Sequence, residues 1–376
     1  MKQKIKNFLI RMNLISSTRR LRALFSKNQY SSAFKDGSMA DPSFAVLENT
    51  SLCNLKCKMC YVNFPNFKKK GFSLEQWKSI IDHLPKSIKQ ISLIGGEPFM
   101  MKGITDLIKY IDSKGIIPVI CTNATLLTEK DLREISKTSA IKHINISIDG
   151  RKETHNRIRG VPTAFDNMVR GVNLINKFGG RIESVTCVIQ DENFNEIDSV
   201  IRIMHELKIK SLLIEFERRY NHQIISESLK ILGMSSGDIE AKDSTTLFHK
   251  FSEDEIRSSL DRVEKLAKKN KISIEYLPND FRNNLSLYLK RRYRNQNKDF
   301  VCGYLPVIRV DCEGNVINCP VIRKKMGNLL YKDFSLIWNS DEFKDYRKKL
   351  LGNNLVPVCD TCFQCKPKSD FRSLIN

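Results

Sequence analysis

Apolar, strand-like segments alternate with amphipathic, helix-like ones from residue 44 to residue 216, and this alternation limits the fold more tightly than anything else in the chain. Strands are expected at 44–49 (FAVLEN), 91–94 (ISLI), 118–122 (PVICT), 144–148 (INISI), 183–189 (ESVTCVI) and 211–216 (SLLIEF). Helices are expected between them at 73–83, 102–114, 128–137, 163–178 and 194–207. Strand–helix alternation implies a parallel sheet with right-handed crossovers. The fold class is therefore α/β, and six units fit a partial (β/α)6, TIM-like barrel better than an open Rossmann sheet. Chemistry in such a barrel sits at the C-terminal strand ends. Residues 221–300 lose the alternation, with helices expected at 252–270 and 281–294. The chain then turns cysteine- and turn-rich. The expected organisation is a basic N-terminal segment (1–40), a core barrel (41–220), a helical linker or insertion (221–300) and a small C-terminal domain (301–376).

Eleven cysteines and a formal charge of +21, from 63 basic and 42 acidic residues, need explaining in a chain that is otherwise of ordinary globular composition. No apolar run reaches the roughly 18–20 residues of a spanning helix, and Lys and Arg break every apolar stretch near the N-terminus. The expected location is the cytoplasm, where cysteines are more often metal or iron–sulfur ligands than disulfides. The basic charge is concentrated in two places. Residues 1–40 hold nine Lys or Arg against Asp36, and a second cluster (Lys290, Arg291, Arg292, Arg294, Lys298) is interleaved with Tyr288 and Tyr293. Two short basic amphipathic stripes at 5–12 and 18–25 would suit an anionic membrane surface. Their shortness favours packing against the protein's own main domain.

Directly after the first strand comes Cys53-Asn-Leu-Lys-Cys57-Lys-Met-Cys60. Three thiolates on one loop can hold three irons of a four-iron cluster, and with no fourth cysteine nearby one iron stays open to a small molecule. The competing reading is a zinc site completed by His83 or by a distant cysteine. The CxxxCxxC spacing resembles the signature of the radical S-adenosylmethionine (SAM) superfamily, and later segments agree. Gly95-Gly96-Glu97-Pro98, after the second strand, resembles that superfamily's GGE motif. There, glycines allow close backbone approach, and an exposed carbonyl and carboxylate can accept from an ammonium group. Thr122-Asn123 and Ser147-Ile148-Asp149-Gly150 resemble positions lining the nucleoside pocket. His155 to Gly160 resembles a stretch common in members with an extra cluster domain, and Arg159 is a candidate partner for a carboxylate. The resemblance covers roughly residues 44–217. It implies a 4Fe-4S cluster on Cys53, Cys57 and Cys60 that chelates SAM, reductive cleavage of SAM to a 5′-deoxyadenosyl radical, hydrogen abstraction from a substrate, and an electron donor such as flavodoxin or ferredoxin. The implied cofactor-binding positions are Gly95, Gly96, Glu97, Pro98, Asn123, Ser147, Asp149 and Arg159.

The remaining cysteines form a second set: Cys302, Cys312, Cys319, Cys359, Cys362 and Cys365. Residues 311–320 read as a tight hairpin turning at Gly314. Cys302, eleven residues, Gly314, four residues and Cys319 resemble the opening of the family's SPASM domain, and Met326 to Leu329 the segment after it. Six thiolates cannot fill two four-cysteine sites, so the ending is closer to the shortened, single-cluster twitch form. The ligands this implies are Cys302, Cys319, Cys359 and one of Cys362 or Cys365, with Cys362 favoured by spacing and Cys312 as the extra candidate. A zinc ribbon is the alternative for this region. Cys121 and Cys187, inside expected strands, read as buried apolar thiols.

An auxiliary cluster in this family either binds substrate or accepts an electron, and a closed four-cysteine site favours an oxidoreductase. Pro320, where the sulfatase maturases carry an aspartate, weighs against formylglycine formation. Some forty residues before the first strand leave no room for a leader-binding domain, so a peptide-modifying maturase is the second reading. The basic segments fit a lipid or lipid-linked sugar at the inner membrane surface, or a phosphorylated small metabolite. The rival class is a zinc-containing nucleic-acid binder, supported by the +21 charge but by no recognisable nucleic-acid module. Hydrolase and P-loop motifs do not occur in the sequence.

Overall fold

The computed structural model describes residue 30 and residues 32–60, 71–218, 220–239, 251–277, 281–290, 300–362 and 364–367. The two N-terminal stripes and residues 291–298 of the second basic cluster lie outside the described residues.

All six expected strands form: β1 (Phe44–Thr50), β2 (Gln90–Gly95), β3 (Ile117–Cys121), β4 (Ile144–Ser147), β5 (Ile182–Ile189) and β6 (Ser211–Phe216). The helices between them are α1 (Leu74–Asp82), α2 (Ile104–Ser113), α3 (Glu129–Ile135), α4 (Lys152–Arg159), α5 (Ala164–Lys177) and α6 (Ile197–Glu206). Local chemistry sets several of their starts. Ser73 opens α1 and Thr128 opens α3, each with a capping box. Neighbouring strands pair in parallel in the order β1 to β6, and the sheet does not close on itself. This is the expected partial barrel.

The sheet is wider than expected at both edges. After α7 (His222–Leu232) and α8 (Glu253–Lys269), β7 (Ser273–Leu277) pairs in parallel with β6. The alternation therefore runs on into the stretch read as a helical linker. The expected helix at 281–294 is represented, as far as residue 290, by a 3-10 turn and the short α9 (Leu285–Leu289).

At the opposite edge the C-terminal region returns to the first strand. It contains β8 (Phe300–Cys302), β9 (Val307–Val310), β10 (Val316–Ile317), α10 (Phe334–Trp338), α11 (Asp341–Gly352) and β11 (Cys365–Pro367). β9 pairs in parallel with β1, from Phe44 opposite Val307 to Leu47 opposite Val310, and β10 folds back on β9. One hydrophobic core runs from the barrel helices through Val310, Trp338 and Tyr346, so the cysteine-rich region is built onto the barrel.

The sheet separates two kinds of side chain. Ile91, Leu93, Ile144, Ile146, Val185, Cys187, Leu212 and Ile214 are buried in the layer shared with the helices. The opposite face is polar across its middle strands. Ser92 Oγ lies 3.6 Å from Cys121 Sγ, and Asn145 Nδ2 reaches the same sulfur at 3.9 Å. Ser184 Oγ donates to Asn145 at 2.7 Å. Cys187 is buried among apolar groups as expected. Cys121 is not: its position in β3 turns it to the polar face, where it is half-exposed.

Candidate iron–sulfur sites

The loop carrying Cys53, Cys57 and Cys60 leaves the C-terminal end of β1 and is held from three directions. From β2, Gly96 N donates to Thr50 O at 2.6 Å and Glu97 N to Leu52 O at 2.8 Å. The approach requires glycine. A Cβ on Gly95, whose φ is +145°, would stand 2.1 Å from Thr50 O, and one on Gly96 would stand 2.0 Å from Leu52 O. From the β3 end, Asn123 Nδ2 donates to Asn54 Oδ1 at 3.0 Å, and Asn54 Nδ2 donates to Thr125 Oγ1 at 2.8 Å. From α4, the carbonyls of Ile158 and Arg159 accept from Lys58 N and Lys56 N. Cys57 is buried beside Leu55 and Ala164, while Cys53 and Cys60 are half-exposed.

Charge is placed with the same economy. Arg159 Nε donates to Asp149 Oδ2 at 2.6 Å, and its Nη1 lies 3.7 Å from Cys57 Sγ. A guanidinium therefore stands beside one sulfur, held by a carboxylate that is 0% exposed. His155 packs on the same carboxylate at 3.5 Å. Burial drives its pKa down to about 4, with Asp149 opposing, so the ring is neutral at neutral pH.

Glu97 departs from expectation. Its carboxylate is 1% exposed and accepts from Thr122 Oγ1 at 2.6 Å and Asn123 N at 2.7 Å. Burial pushes it up to about 7 although these donors pull it down. It braces the turns after β2 and β3 and does not stand exposed to receive an ammonium group. Asn123 is likewise spent on Asn54 and Thr125, while Asp149 turns Oδ2 to Arg159 and His155 and keeps a buried Oδ1 with no hydrogen-bond partner among the described residues. Gly95, Gly96 and Ser147 remain half-exposed at the strand ends, and Pro98 starts the short turn after Glu97.

The thiols suit a cluster. No fourth cysteine follows in the loop, and His83 ends α1 close to the start of β2, the end of the sheet opposite the cysteine loop. The zinc reading that borrows His83 therefore fails on topology. Among the described residues no three His, Cys, Asp or Glu side chains converge as they would on a single ion. A four-iron cluster takes each thiolate on a different iron and has no such requirement.

The second thiol set lies where β8 and β11 pair, with Cys302 opposite Cys365. Burial raises the pKa of Cys302, and Cys362 and Cys319 raise it further. Burial does the same for Cys359, joined by Cys362, Cys302 and Cys319, and for Cys365, joined by Cys359 and Cys362. Ile322 N donates to Cys319 Sγ at 3.0 Å and Gln364 N to Cys362 Sγ at 3.4 Å. Five cysteines, four buried and Cys362 half-exposed, thus lie in one another's electrostatic reach, with backbone donors turned toward Cys319 and Cys362. Cys312 sits elsewhere, beside β1. Burial pushes it up to about 11, Asp311 and Glu48 add to that, and Ser51 opposes.

The sequence reading missed the charged groups joining the two regions. Glu48 on β1 is 2% exposed and binds Arg309 Nε at 2.8 Å and Arg323 Nη2 at 2.9 Å. Glu215, on β6, is pushed up to about 7 by burial with Arg218 opposing. Burial works against the Arg218 charge, and Tyr220, Tyr304, Cys362 and Glu215 together outweigh it. The signal available was an acid inside the first strand and the Glu-Arg-Arg-Tyr run after the sixth.

Residues 48–204 match the family model described as the radical SAM superfamily, and residues 305–365 match SPASM, an iron–sulfur cluster-binding domain. The chain carries a radical SAM domain followed by a SPASM domain. Its two domains imply a SAM-binding 4Fe-4S cluster and auxiliary iron–sulfur binding. Fe-coproporphyrin III synthase of Methanosarcina barkeri is 32% identical over 44% of this chain and 41% of its own length. The chain thus spans less than half of that relative. AdoMet-dependent heme synthase of the same organism is 23% identical over 85% of this chain and 88% of that protein. Among solved structures, Streptococcus suis SuiB has the same fold, with a TM-score of 0.59, 16% identity, and coverage of 90% of this chain and 76% of that one. No helix among the described residues is long and apolar enough to cross a membrane.

Proposed function

We propose that this protein is a radical SAM oxidoreductase with a single auxiliary 4Fe-4S cluster. The observation that carries the reading is the closed nest of C-terminal thiols, built onto the same sheet as the open three-cysteine loop. When bound, the first cluster and SAM supply a 5′-deoxyadenosyl radical for hydrogen abstraction, and the auxiliary cluster supplies an electron acceptor.

The chain's own residues divide the remaining work. Cys53, Cys57 and Cys60 hold the first cluster. Arg159 offsets negative charge at Cys57, with Asp149 fixing the guanidinium. Gly95, Gly96 and Ser147 present small surfaces to SAM, while Glu97 and Asn123 fix the turns behind it. Cys302, Cys319, Cys359 and Cys362 hold the auxiliary cluster. Cys365, the cross-strand partner of Cys302, lies against this set. Cys312 is left out because it packs on Ser51 and Asp311.

The proposed substrate is a small metabolite, a reading supported by similarity to a heme synthase over 85% of the chain. A flavodoxin- or ferredoxin-type donor would supply the reducing electron. The test is anaerobic reconstitution with iron and sulfide, then SAM and dithionite, with 5′-deoxyadenosine read by mass spectrometry. Product from the wild type and none from Cys57→Ala is the expected result. Zinc without iron or acid-labile sulfide, and nucleic-acid affinity that falls steeply with salt, would refute the reading.

A further inference from the structure

Past the end of β6, Arg218 and Tyr220 reach the neighbourhood of the C-terminal thiols. Tyr220 is 4% exposed, and its hydroxyl is buried with no hydrogen-bond partner among the described residues. A phenol shut away from water without an acceptor costs stability and calls for a reason. Three other phenols near these cysteines are employed. Tyr288 Oη donates to Thr361 O at 2.9 Å, Tyr30 Oη donates to Cys302 O at 2.6 Å, and Tyr346 Oη accepts from Asn318 Nδ2 at 3.0 Å. Tyr220 differs from these in having no such partner among the described residues. After burial, the groups that act on it are Arg218 and three sulfurs, those of Cys362, Cys319 and Cys359. A sulfur carrying negative charge is the acceptor this donor lacks.

We propose that Tyr220 donates a hydrogen bond to sulfur of the auxiliary cluster and, together with the charge of Arg218, holds that cluster at a raised reduction potential. The inference rests on the ligand set proposed above. Reduction adds one negative charge to a cluster. Donors to its sulfurs and a nearby cation therefore favour the reduced form. Tyr220 is on this account a positioning residue for redox poise. It lies four residues past the end of β6, where one hydroxyl can act without changing the ligands.

The test is an anaerobic, EPR-monitored redox titration of the full-length protein carrying Cys53→Ala, Cys57→Ala and Cys60→Ala, so that only the auxiliary cluster is present. Tyr220→Phe is expected to shift the oxidised-to-reduced ratio at the wild-type midpoint by about three- to tenfold toward oxidised. A tenfold shift is ~59 mV for one electron. Arg218→Met should move it in the same direction, and Arg218→Lys should restore most of it. Tyr288→Phe, whose hydroxyl serves Thr361, should leave the midpoint in place. Titration of the two-cluster protein, with added SAM marking the other cluster's signal, gives the same reading without the triple substitution. Equal midpoints for wild type and Tyr220→Phe at equal iron content would overturn this inference and leave the ligand set standing. Absence of any auxiliary cluster in the two-cluster protein would overturn both.

Discussion

Glu48→Gln tests whether the cysteine-rich region is held to the barrel by charge. Glu48 Oε1 accepts from Arg309 Nε at 2.8 Å and from Arg323 Nη1 at 3.2 Å, and Oε2 accepts from Arg323 Nη2 at 2.9 Å. All three side chains are under 10% exposed. Glutamine keeps the shape, so no cavity opens, but one oxygen becomes an NH2 group facing a guanidinium. The carboxylate charge that offset two arginines is lost at the same time. Breaking such a buried pair costs about 3–5 kcal/mol, against about 0–1 for an exposed one. Native-state hydrogen exchange of the reconstituted protein reads this locally. If β9 and β10 open as a unit, protection at Ile308–Val310 and Val316–Ile317 falls by about two to nearly four orders of magnitude. The acid profile should agree. Burial pushes Glu48 up, but the two arginines outweigh it and hold it below 4.5. The stabilisation is therefore fully present above that value and is lost as pH falls through the lower folded pKa. A change under about 0.5 kcal/mol, the scale of a neutral surface substitution, would refute the reasoning.

Gly95→Ala and Gly96→Ala place a Cβ about 2 Å from a carbonyl at the end of β1 and in the cysteine loop respectively, so iron per chain at the first site should fall while the auxiliary content stays. Burial holds Glu97 up at about 7, against its ordinary 4.5. A raised carboxyl pKa means stability is lost as pH rises between about 4.5 and 7, by roughly 3 kcal/mol. Glu97→Gln should flatten that slope in denaturation midpoints, and an unchanged slope would show that Glu97 is not the group responsible. Arg159→Met strands Asp149 and should cost about 3–5 kcal/mol, whereas Asp149→Asn with Arg159→Met should recover much of it. A simple sum of the two single losses would deny their coupling. Cys121→Ser should be tolerated within about 1 kcal/mol because Ser92 and Asn145 bond to hydroxyl as well as thiol, while Cys187→Ser should cost about 1–3 in an apolar layer. Equal costs would contradict the assignment of sheet faces.

Much of this architecture is legible in local pattern, and the parts that are not share a cause. The six strands and the cysteine loop announce themselves through apolar runs and spacing. α4 does not, because its buried side chains are Thr154, His155, Ile158 and Arg159, which make no apolar stripe. β7 buries only Leu277 and so lacks the contrast of a core strand. The pairing of β9 with β1 joins residues more than 260 apart, and nothing in VIRV specifies its partner. The site has the same limit. Cysteine and glycine positions follow from the sequence, but the direction Glu97 faces is decided by Thr122 and Asn123, some 25 residues on.

The partner of β1 also determines how the two thiol sets relate. β1 ends in the loop that carries Cys53, and β9 lies alongside it with the hairpin leading to Cys319. A parallel ladder fixes register, since a slip of one residue would turn Glu48 and Arg309 to opposite faces. The Glu48 bonds add a charge match that no slipped register reproduces. Tyr220 and Arg218 approach the nest from β6, on the far side of the sheet order from β9. The auxiliary thiols are therefore gripped through both sides of one open sheet. Their placement relative to β1 follows from strand pairing.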